Sequence, residues 1–136
     1  MLEKRLTLLV CLMMFSSGCL GGSSDEYESK FHGDLVSPAK LTDDFNLLTS
    51  DNETYNFKNN TDGKVTVIAF LFTNCYDICP IVTYNMRYIS ESLNQSQHDL
   101  IEFITITVDP WRDNNTIMED WKTRTKSNWT HLTVAN

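Results

Sequence analysis

The stretch that decides the fold is KVTVIAFLFTNCYDICPIVTYNM, residues 64–86. Its first part, residues 64–72, is apolar at almost every position and rich in β-branched and aromatic side chains, which indicates a strand covered on both faces. Cys75 and Cys79 follow, with three residues between them. From Pro80 onwards apolar residues recur at helical spacing, and proline is favoured in the first turn of a helix. We therefore predict a buried strand that leads into a helix, with two thiols at the junction.

The same alternation of strand and helix continues downstream. LIEFITITVDP (residues 100–110) predicts a second strand, RDNNTIMEDWKTRTK (residues 112–126) a second helix, and HLTV (residues 131–134) the start of a third strand. In the second helix Thr116 and Glu119 have the spacing of a capping box. A strand–helix–strand order gives a right-handed βαβ unit with parallel strands, so the predicted fold class is α/β.

The N-terminal residues have the layout of an export signal. Lys4 and Arg5 precede an apolar run over residues 6–15, which is too short to span a bilayer as a helix. The glycine directly before Cys19 resembles the lipobox of prokaryotic lipoproteins. We therefore predict a signal peptide over residues 1–18, lipidation of Cys19, and a lipid anchor at the outer, extracytoplasmic face of the cell membrane. An ordinary signal peptide and an uncleaved anchor are the alternatives.

The predicted signal peptide is followed by a tether and one domain. Residues 19–43 begin with a polar, acidic segment rich in small residues, which is typical of a flexible tether. The domain is predicted over residues 44–136. It opens with FNLLTSDNETYNF (residues 45–57), which predicts a hairpin with Asp51 and Asn52 at its turn.

Charge and composition exclude some partners. The formal net charge is −7, and removal of the predicted leader makes the chain more acidic still. Such a chain does not have nucleic acid or an anionic membrane surface as its main partner. Export implies conditions in which disulfides persist and sequons are accessible. The glycosylation sequons begin at Asn52, Asn59, Asn94, Asn114 and Asn128.

The position of the two cysteines favours chemistry over packing, and leaves its kind open. At the C-terminal end of a strand and the N-terminus of a helix, unpaired N–H groups lower a thiol pKa. A thiolate is both a redox nucleophile and a ligand for soft ions such as Cu(I). A structural disulfide is the third possibility, but it would close a very short loop and restrict the unfolded chain little.

Two motifs taken together resemble the Sco/SenC family, whose members assist assembly of the dicopper centre (CuA) of cytochrome c oxidase. The family pattern is Cys-Pro-Asp-x-Cys-Pro after an apolar strand, and Val-Asp-Pro-x-Arg-Asp after the next. The residues that match are Cys75, Asp77, Cys79 and Pro80, then Val108, Asp109, Pro110, Arg112 and Asp113, with weaker likeness at Phe45, Leu47 and residues 63–65.

The resemblance implies a thioredoxin-like fold and a copper site. In the family, two cysteines and a histidine from a later segment bind copper, which would make Cys75 and Cys79 the ligands here. Tyr76 replaces the usual proline, so a looser loop is expected. The histidine is expected beyond Asn136, and the domain is therefore expected to be incomplete at its C-terminus. An incomplete sheet would expose an edge and part of its core.

The three histidines of the chain are not expected to replace that ligand. His98 and His131 are predicted at the edge of the sheet opposite the cysteines, and His32 lies near the tether. We therefore interpret each of them as a solvated surface residue rather than a ligand.

Other residues near the site have two interpretations each. Asp77 either tunes the thiols without binding metal itself or caps the helix, with the structural role slightly favoured. Asp109, Arg112 and Asp113 either contact a partner or form a surface ion-pair cluster, which is the default. The tryptophans, which either pack in the core or partly face a docking protein, are Trp111, Trp121 and Trp129.

Three functions follow from these features. The first is a membrane-anchored copper-binding protein that delivers Cu(I) from Cys75 and Cys79 to the oxidase subunit carrying CuA. The second is an extracytoplasmic thiol–disulfide oxidoreductase, which needs only the same redox pair. The third, a peroxiredoxin-like peroxidase, is disfavoured because Phe72 stands where that family has proline.

Overall fold

The computed structural model describes residues 33–134, so the predicted signal peptide, Cys19 and His32 lie outside the described residues. Residues 33–41 form neither helix nor strand, and their side chains are exposed. The elements in the described part of the chain follow in order. They are β1 (Asn46–Thr49), β2 (Thr54–Asn56), α1 (Phe57–Thr61), β3 (Val65–Leu71), α2 (Ile78–Ser92), α3 (Gln95–His98), β4 (Ile101–Thr107), α4 (Asn115–Thr125) and β5 (Thr130–Thr133).

The described strands form one mixed sheet with the order β2-β1-β5-β4-β3. β3 pairs with β4 in parallel, and β4 pairs with β5 in parallel, while β1 is antiparallel to both β2 and β5. The register sets Val65 opposite Ile101 and Leu71 opposite Thr107, so β3 and β4 end at the same level. This arrangement confirms the predicted α/β fold with parallel strands around a helical connection.

The predicted hairpin is present at β1 and β2. Its turn contains Asp51 and Asn52, as expected, and Asn52 adopts a φ of 65°. Asparagine tolerates this left-handed conformation better than most residues, which explains its place there. The backbone N–H of Asn52 donates to the carbonyl of Thr49 at 2.9 Å and closes the turn.

Both long helices lie where helical spacing predicted them, but one cap differs. Pro80 lies in the first turn of α2, as expected. At α4 the N-cap is Asn114, whose side chain accepts a hydrogen bond from the backbone N–H of Ile117. The predicted capping box of Thr116 and Glu119 is therefore wrong, because Thr116 already lies inside the helix.

The core lies mainly along β4 and β5, and β3 is more exposed than predicted. Ile104 and Leu132 have no exposed surface. On β3, by contrast, Val65 is 65% exposed and Phe70 is 66% exposed. β3 forms the edge strand of the sheet within residues 33–134. Because Ile68 and Phe70 on one of its faces are exposed, the prediction that both faces are covered is wrong for this part of the chain.

Candidate functional site

The two cysteines lie where the end of β3 meets the start of α2. Residues 72–77 connect the two elements, and Cys75 lies in this loop while Cys79 lies in the first turn of the helix. Both are free thiols, and both pack with Leu71 and Trp121 in one buried cluster. The fold thus brings the predicted pair together at the carboxyl edge of the parallel strands, which is where α/β sheets place ligands.

The two thiols have different environments. The thiol of Cys79 donates a hydrogen bond that lowers the pKa of Cys75, and backbone N–H groups at the helix start add to this effect. One of these is the N–H of Cys79, which donates to Sγ of Cys75 at 3.3 Å. Burial raises the pKa of Cys79, and its hydrogen bond to Cys75 and the charge of Asp113 raise it further. Cys75 is therefore the thiol that ionises first.

The loop residues between the cysteines have few contacts of their own. Asp77 occupies the N-cap position of α2, but its side chain makes no capping hydrogen bond, so the favoured capping role is wrong. Tyr76, which replaces the proline of the family motif, is 88% exposed. Its hydroxyl donates to Oδ1 of Asn74 at 2.9 Å. Tyr76 and Asp77 are therefore not the residues that hold this loop in place.

The sequence interpretation named Asp113 near the site but missed its burial. It is 1% exposed rather than part of a surface cluster. Its carboxylate accepts hydrogen bonds from the backbone N–H and hydroxyl of Thr73 and from the hydroxyl of Thr107. The parallel pairing was a partial signal for this contact, because it sets Leu71 opposite Thr107 and so brings Thr73, two residues past the end of β3, near the end of β4.

The remaining predicted residues divide between surface and core. Arg112 and Asp109 form the expected exposed ion pair, with 3.6 Å between Nε and Oδ2, and such a pair contributes at most about 1 kcal/mol. Trp121 and Trp129 are buried in the core, whereas Trp111 is 89% exposed. Trp111 is thus the tryptophan of the described part that is available to another protein.

One of the two described histidines, His131, differs from its expected surface position. His131 lies on β5 opposite Thr105 and is fully buried, so its interpretation as a solvated residue is wrong. Its Nε2 is 2.7 Å from Oγ of Ser127, and burial lowers its pKa to about 4. His98 lies on α3 and is partly exposed. Within the described residues no group of three or more His, Cys, Asp or Glu is placed to hold a metal ion.

The described region as a whole matches a known family. Residues 33–134 match the family model described as SCO1/SenC, and they make up more than half of the chain. The chain belongs to the SCO1/SenC family. The resemblance inferred from the two motifs is thereby confirmed.

Curated SCO relatives are longer than this chain. An SCO2-like protein of Rickettsia typhi is 38% identical over 82 residues, which are 60% of this chain and 39% of the relative. The mitochondrial SCO2 protein of Saccharomyces cerevisiae is 29% identical over 77 residues, which are 57% of this chain and 25% of the relative. The chain thus spans about two fifths or less of the length of these relatives.

Solved SCO structures share the fold. Yeast Sco1 with copper bound has a TM-score of 0.62 and 26% identity, covering 71% of this chain and 53% of that one. A SCO1/SenC family lipoprotein from Bacillus anthracis has a TM-score of 0.59 and 28% identity, covering 69% and 56%. Bradyrhizobium japonicum ScoI with copper bound has a TM-score of 0.63, but at 23% identity it supports the fold alone. The predicted thioredoxin-like fold is confirmed.

Proposed function

We propose that this SCO1/SenC protein binds Cu(I) through the thiolates of Cys75 and Cys79 and assists assembly of the CuA centre of cytochrome c oxidase. The observation that carries the proposal is the pair of free thiols at the start of α2, one of which has a lowered pKa. Yeast Sco1 has been solved with copper bound, and BsSco is described as a member of the Sco family of cytochrome c oxidase assembly proteins.

The donor set suits copper better than the other common metals. Soft thiolate sulfurs select Cu(I), whereas structural zinc requires four ligands and calcium or magnesium requires oxygen. Because the pKa of Cys75 is lowered, its deprotonation on metal binding costs less than that of an ordinary thiol. Cys79 would release its proton when the ion binds. Copper is the cargo of such a protein, so a site that both holds and releases it is appropriate.

The site is proposed to be completed by a third ligand. The family resemblance implies a histidine from a later segment, close to the last strands, and we propose that it lies beyond Asn136. Asp77 lies between the cysteines and is proposed to tune the bound ion without contacting it. Its exposed carboxylate is free of the capping hydrogen bond that would otherwise occupy it.

The proposed place of action is the outer face of the cell membrane. A lipid on Cys19 would anchor the chain there, next to the oxidase subunit that receives the copper. A SCO1/SenC relative from Bacillus anthracis is a lipoprotein, which supports this proposal. In the part of the chain described here, no helix is long and apolar enough to cross a bilayer. Mass spectrometry of the mature N-terminus tests the anchor, and an unmodified Cys19 would contradict it.

An anaerobic competition titration with a Cu(I) chelator tests copper binding. We expect the double variant Cys75→Ser, Cys79→Ser to lose at least about 100-fold in Cu(I) affinity, because hydroxyls are poor ligands for this soft ion. The titration uses the unprocessed chain, which retains Cys11 and an unlipidated Cys19, and the variant Cys11→Ser, Cys19→Ser of that chain is the matched control, since it removes two thiols outside the proposed site. Equal affinity of the first variant and the unsubstituted chain would overturn the proposal.

A second function, thiol–disulfide oxidoreductase, is favoured by the unequal thiols. The Cys75 thiolate would attack a partner disulfide and form a mixed disulfide, releasing one partner thiolate. Cys79 would then lose its proton and attack Sγ of Cys75, so that the partner leaves as a dithiol and the chain holds the disulfide. The reaction needs no third ligand. A reduction potential below about −300 mV, as in structural disulfides, would contradict it.

A further inference from the structure

A buried carboxylate connects the two motifs of the site. Asp113 accepts hydrogen bonds from the backbone N–H of Thr73 at 2.9 Å, from Oγ1 of Thr73 at 2.5 Å and from Oγ1 of Thr107 at 2.7 Å. With 1% of its surface exposed, Asp113 has protein donors in place of water. Such donors offset the loss of water around a buried carboxylate, and hydrogen bonds to a charged group are the stronger kind.

These hydrogen bonds join the ends of three adjacent strands. Thr73 lies just past the end of β3 and two residues before Cys75, and Thr107 is the last residue of β4. The backbone carbonyl of Asp113 also accepts a hydrogen bond from Oγ1 of Thr133 on β5, at 2.6 Å. The loop that carries Cys75 is therefore attached through Asp113 to the neighbouring strands, by the side chain to β4 and by the backbone carbonyl to β5.

Besides the packing of Cys75 against Leu71 and Trp121 and the hydrogen bond from the N–H of Cys79 to the sulfur of Cys75, the loop makes few contacts. The backbone of Cys75 donates to the carbonyl of Phe72 within the loop, and Tyr76 contacts Asn74 within the loop. Neither contact relates the loop to the sheet. The hydrogen bonds from Thr73 to Asp113 do so, and they lie next to the cysteine.

We propose that Asp113 is a positioning residue for the thiol pair: through Thr73 and Thr107 it fixes the loop of Cys75 against the end of β4. The two sulfurs then stay close enough to share a metal ion or to form a disulfide. The proposal rests on the thiol pair being the functional site, but it depends on neither copper nor a particular partner. It also explains why the two motifs occur together, since the second supplies the anchor for the first.

The equilibrium between dithiol and disulfide tests this role without copper. The full chain is equilibrated anaerobically with glutathione buffers, in which the dithiol and oxidised glutathione give the protein disulfide and two reduced glutathiones. Free thiols are then alkylated and the tryptic peptide of residues 65–87 is quantified by mass spectrometry. That peptide contains Cys75 and Cys79 and excludes the other two cysteines.

Loosening the loop is expected to weaken the disulfide, because the sulfurs are then less often within bonding distance. For Asp113→Asn we expect the equilibrium constant to fall at least about tenfold, which raises the reduction potential by about 30 mV. Thr73→Val keeps the backbone bond but loses the hydroxyl, and we expect a smaller fall of about threefold. Thr73→Ser restores the hydroxyl and is expected to stay within about twofold of the unsubstituted chain.

A matched control and a second pair of variants keep the test decisive. Asp109→Asn makes the same change in charge four residues away, at a side chain whose described partner is Arg112, and should leave the potential unchanged. If Asp113→Asn does not fold, the comparison of Thr73→Val with Thr73→Ser decides. The proposal is overturned if Thr73→Val and any folded Asp113 variant keep the potential of the unsubstituted chain. If the Asp113 and Thr73 variants keep unchanged potentials while Cys75→Ser, Cys79→Ser loses Cu(I) binding, the positioning role is rejected and the proposed copper function of the cysteines stands.

Discussion

Cys75 and Cys79 share one buried cluster, yet the structure gives their thiols opposite shifts in pKa. Because the thiolate is the reactive form, Cys75 should react first with an alkylating reagent. We expect iodoacetamide to modify Cys75 at least about tenfold faster than Cys79 at pH 7. The rate of alkylation at Cys75 should reach half of its maximum at a pH below the pKa of an ordinary thiol. Fragmentation of the tryptic peptide assigns each label to its cysteine.

The control for this measurement is Cys75→Ser, which removes the hydrogen-bond partner of Cys79. In that variant Cys79 should still react slowly, because burial is the largest cause of its raised pKa. Preferential modification of Cys79 in the unsubstituted chain would contradict the assignment of roles.

The burial of His131 predicts that the stability of the fold depends on pH. Burial, followed by the charge of Lys122, lowers its pKa to about 4, while Glu119 opposes the shift. Above pH 6.5 the ring is neutral in both folded and unfolded states. As the pH falls below 6.5, only the unfolded state gains the proton, so stability decreases until about pH 4. Between pH 7.5 and pH 5 this costs about 2 kcal/mol.

Urea unfolding at both pH values measures that cost. His131→Gln serves as the comparison, because its amide can still hydrogen-bond to Ser127 while lacking a titration. Between pH 7.5 and pH 5, the free energy of unfolding of the variant is expected to fall by about 2 kcal/mol less than that of the unsubstituted chain, whatever the variant's stability at pH 7.5. An equal pH dependence in both chains would show that His131 takes up its proton in the folded state.

Burial of single polar residues was the part that sequence reasoning predicted least well. Asp113 is separated by 40 residues from Thr73, and only the pairing of β3 with β4 brings them together. His131 appears in a short strand whose flanks are polar, so its burial depends on neighbouring elements. Such contacts are tertiary, whereas the spacing of Cys75 and Cys79 after an apolar strand is local and was predictable.

At the level of single elements, α4 offers a direct comparison of two candidate caps. The side chain of Asn114 accepts a hydrogen bond from the N–H of Ile117, whereas Thr116 lies within the helix. Asn114→Ala should therefore lower the free energy of unfolding by about 1 kcal/mol. Thr116→Ala should change it by less than about 0.5 kcal/mol. Both side chains are exposed, so neither change disturbs the core.

Chemical denaturation of the two variants measures this difference. A larger loss in the free energy of unfolding for Thr116→Ala than for Asn114→Ala would show that Thr116 is the cap, as the sequence suggested. The cap was misplaced because Asn114 and Thr116 both favour helix starts, and only the backbone decides which of them comes first.

Element types and their order were predicted well, since they depend on periodicity over short windows. The hairpin, the two long helices and the strands lie where their patterns placed them, whereas the short helices α1 and α3 were not predicted. The exposure of β3 was not predicted. A continuous apolar run indicates coverage of both faces, but it does not say which segment of chain provides that coverage.

For the molecule as a whole, the sheet order predicts a gradient of protection. β4 lies between two parallel neighbours, while β3 is the edge strand of the described sheet. We expect the slowest hydrogen exchange at β4 amides, with outward-facing amides of β3 exchanging at least about 100-fold faster. Exchange measured by NMR on the full chain tests this. Uniform protection of β3 at the level of β4 would show that a further strand pairs with that edge.

The central claim is that Cys75 and Cys79 together hold Cu(I), and X-ray absorption at the copper edge of the loaded chain tests it most directly. The account predicts sulfur neighbours around copper in the full chain and in the control Cys11→Ser, Cys19→Ser, and their loss in Cys75→Ser, Cys79→Ser. The account would be contradicted if the sulfur signal persisted in this last variant, or if the unsubstituted chain held copper through nitrogen and oxygen alone.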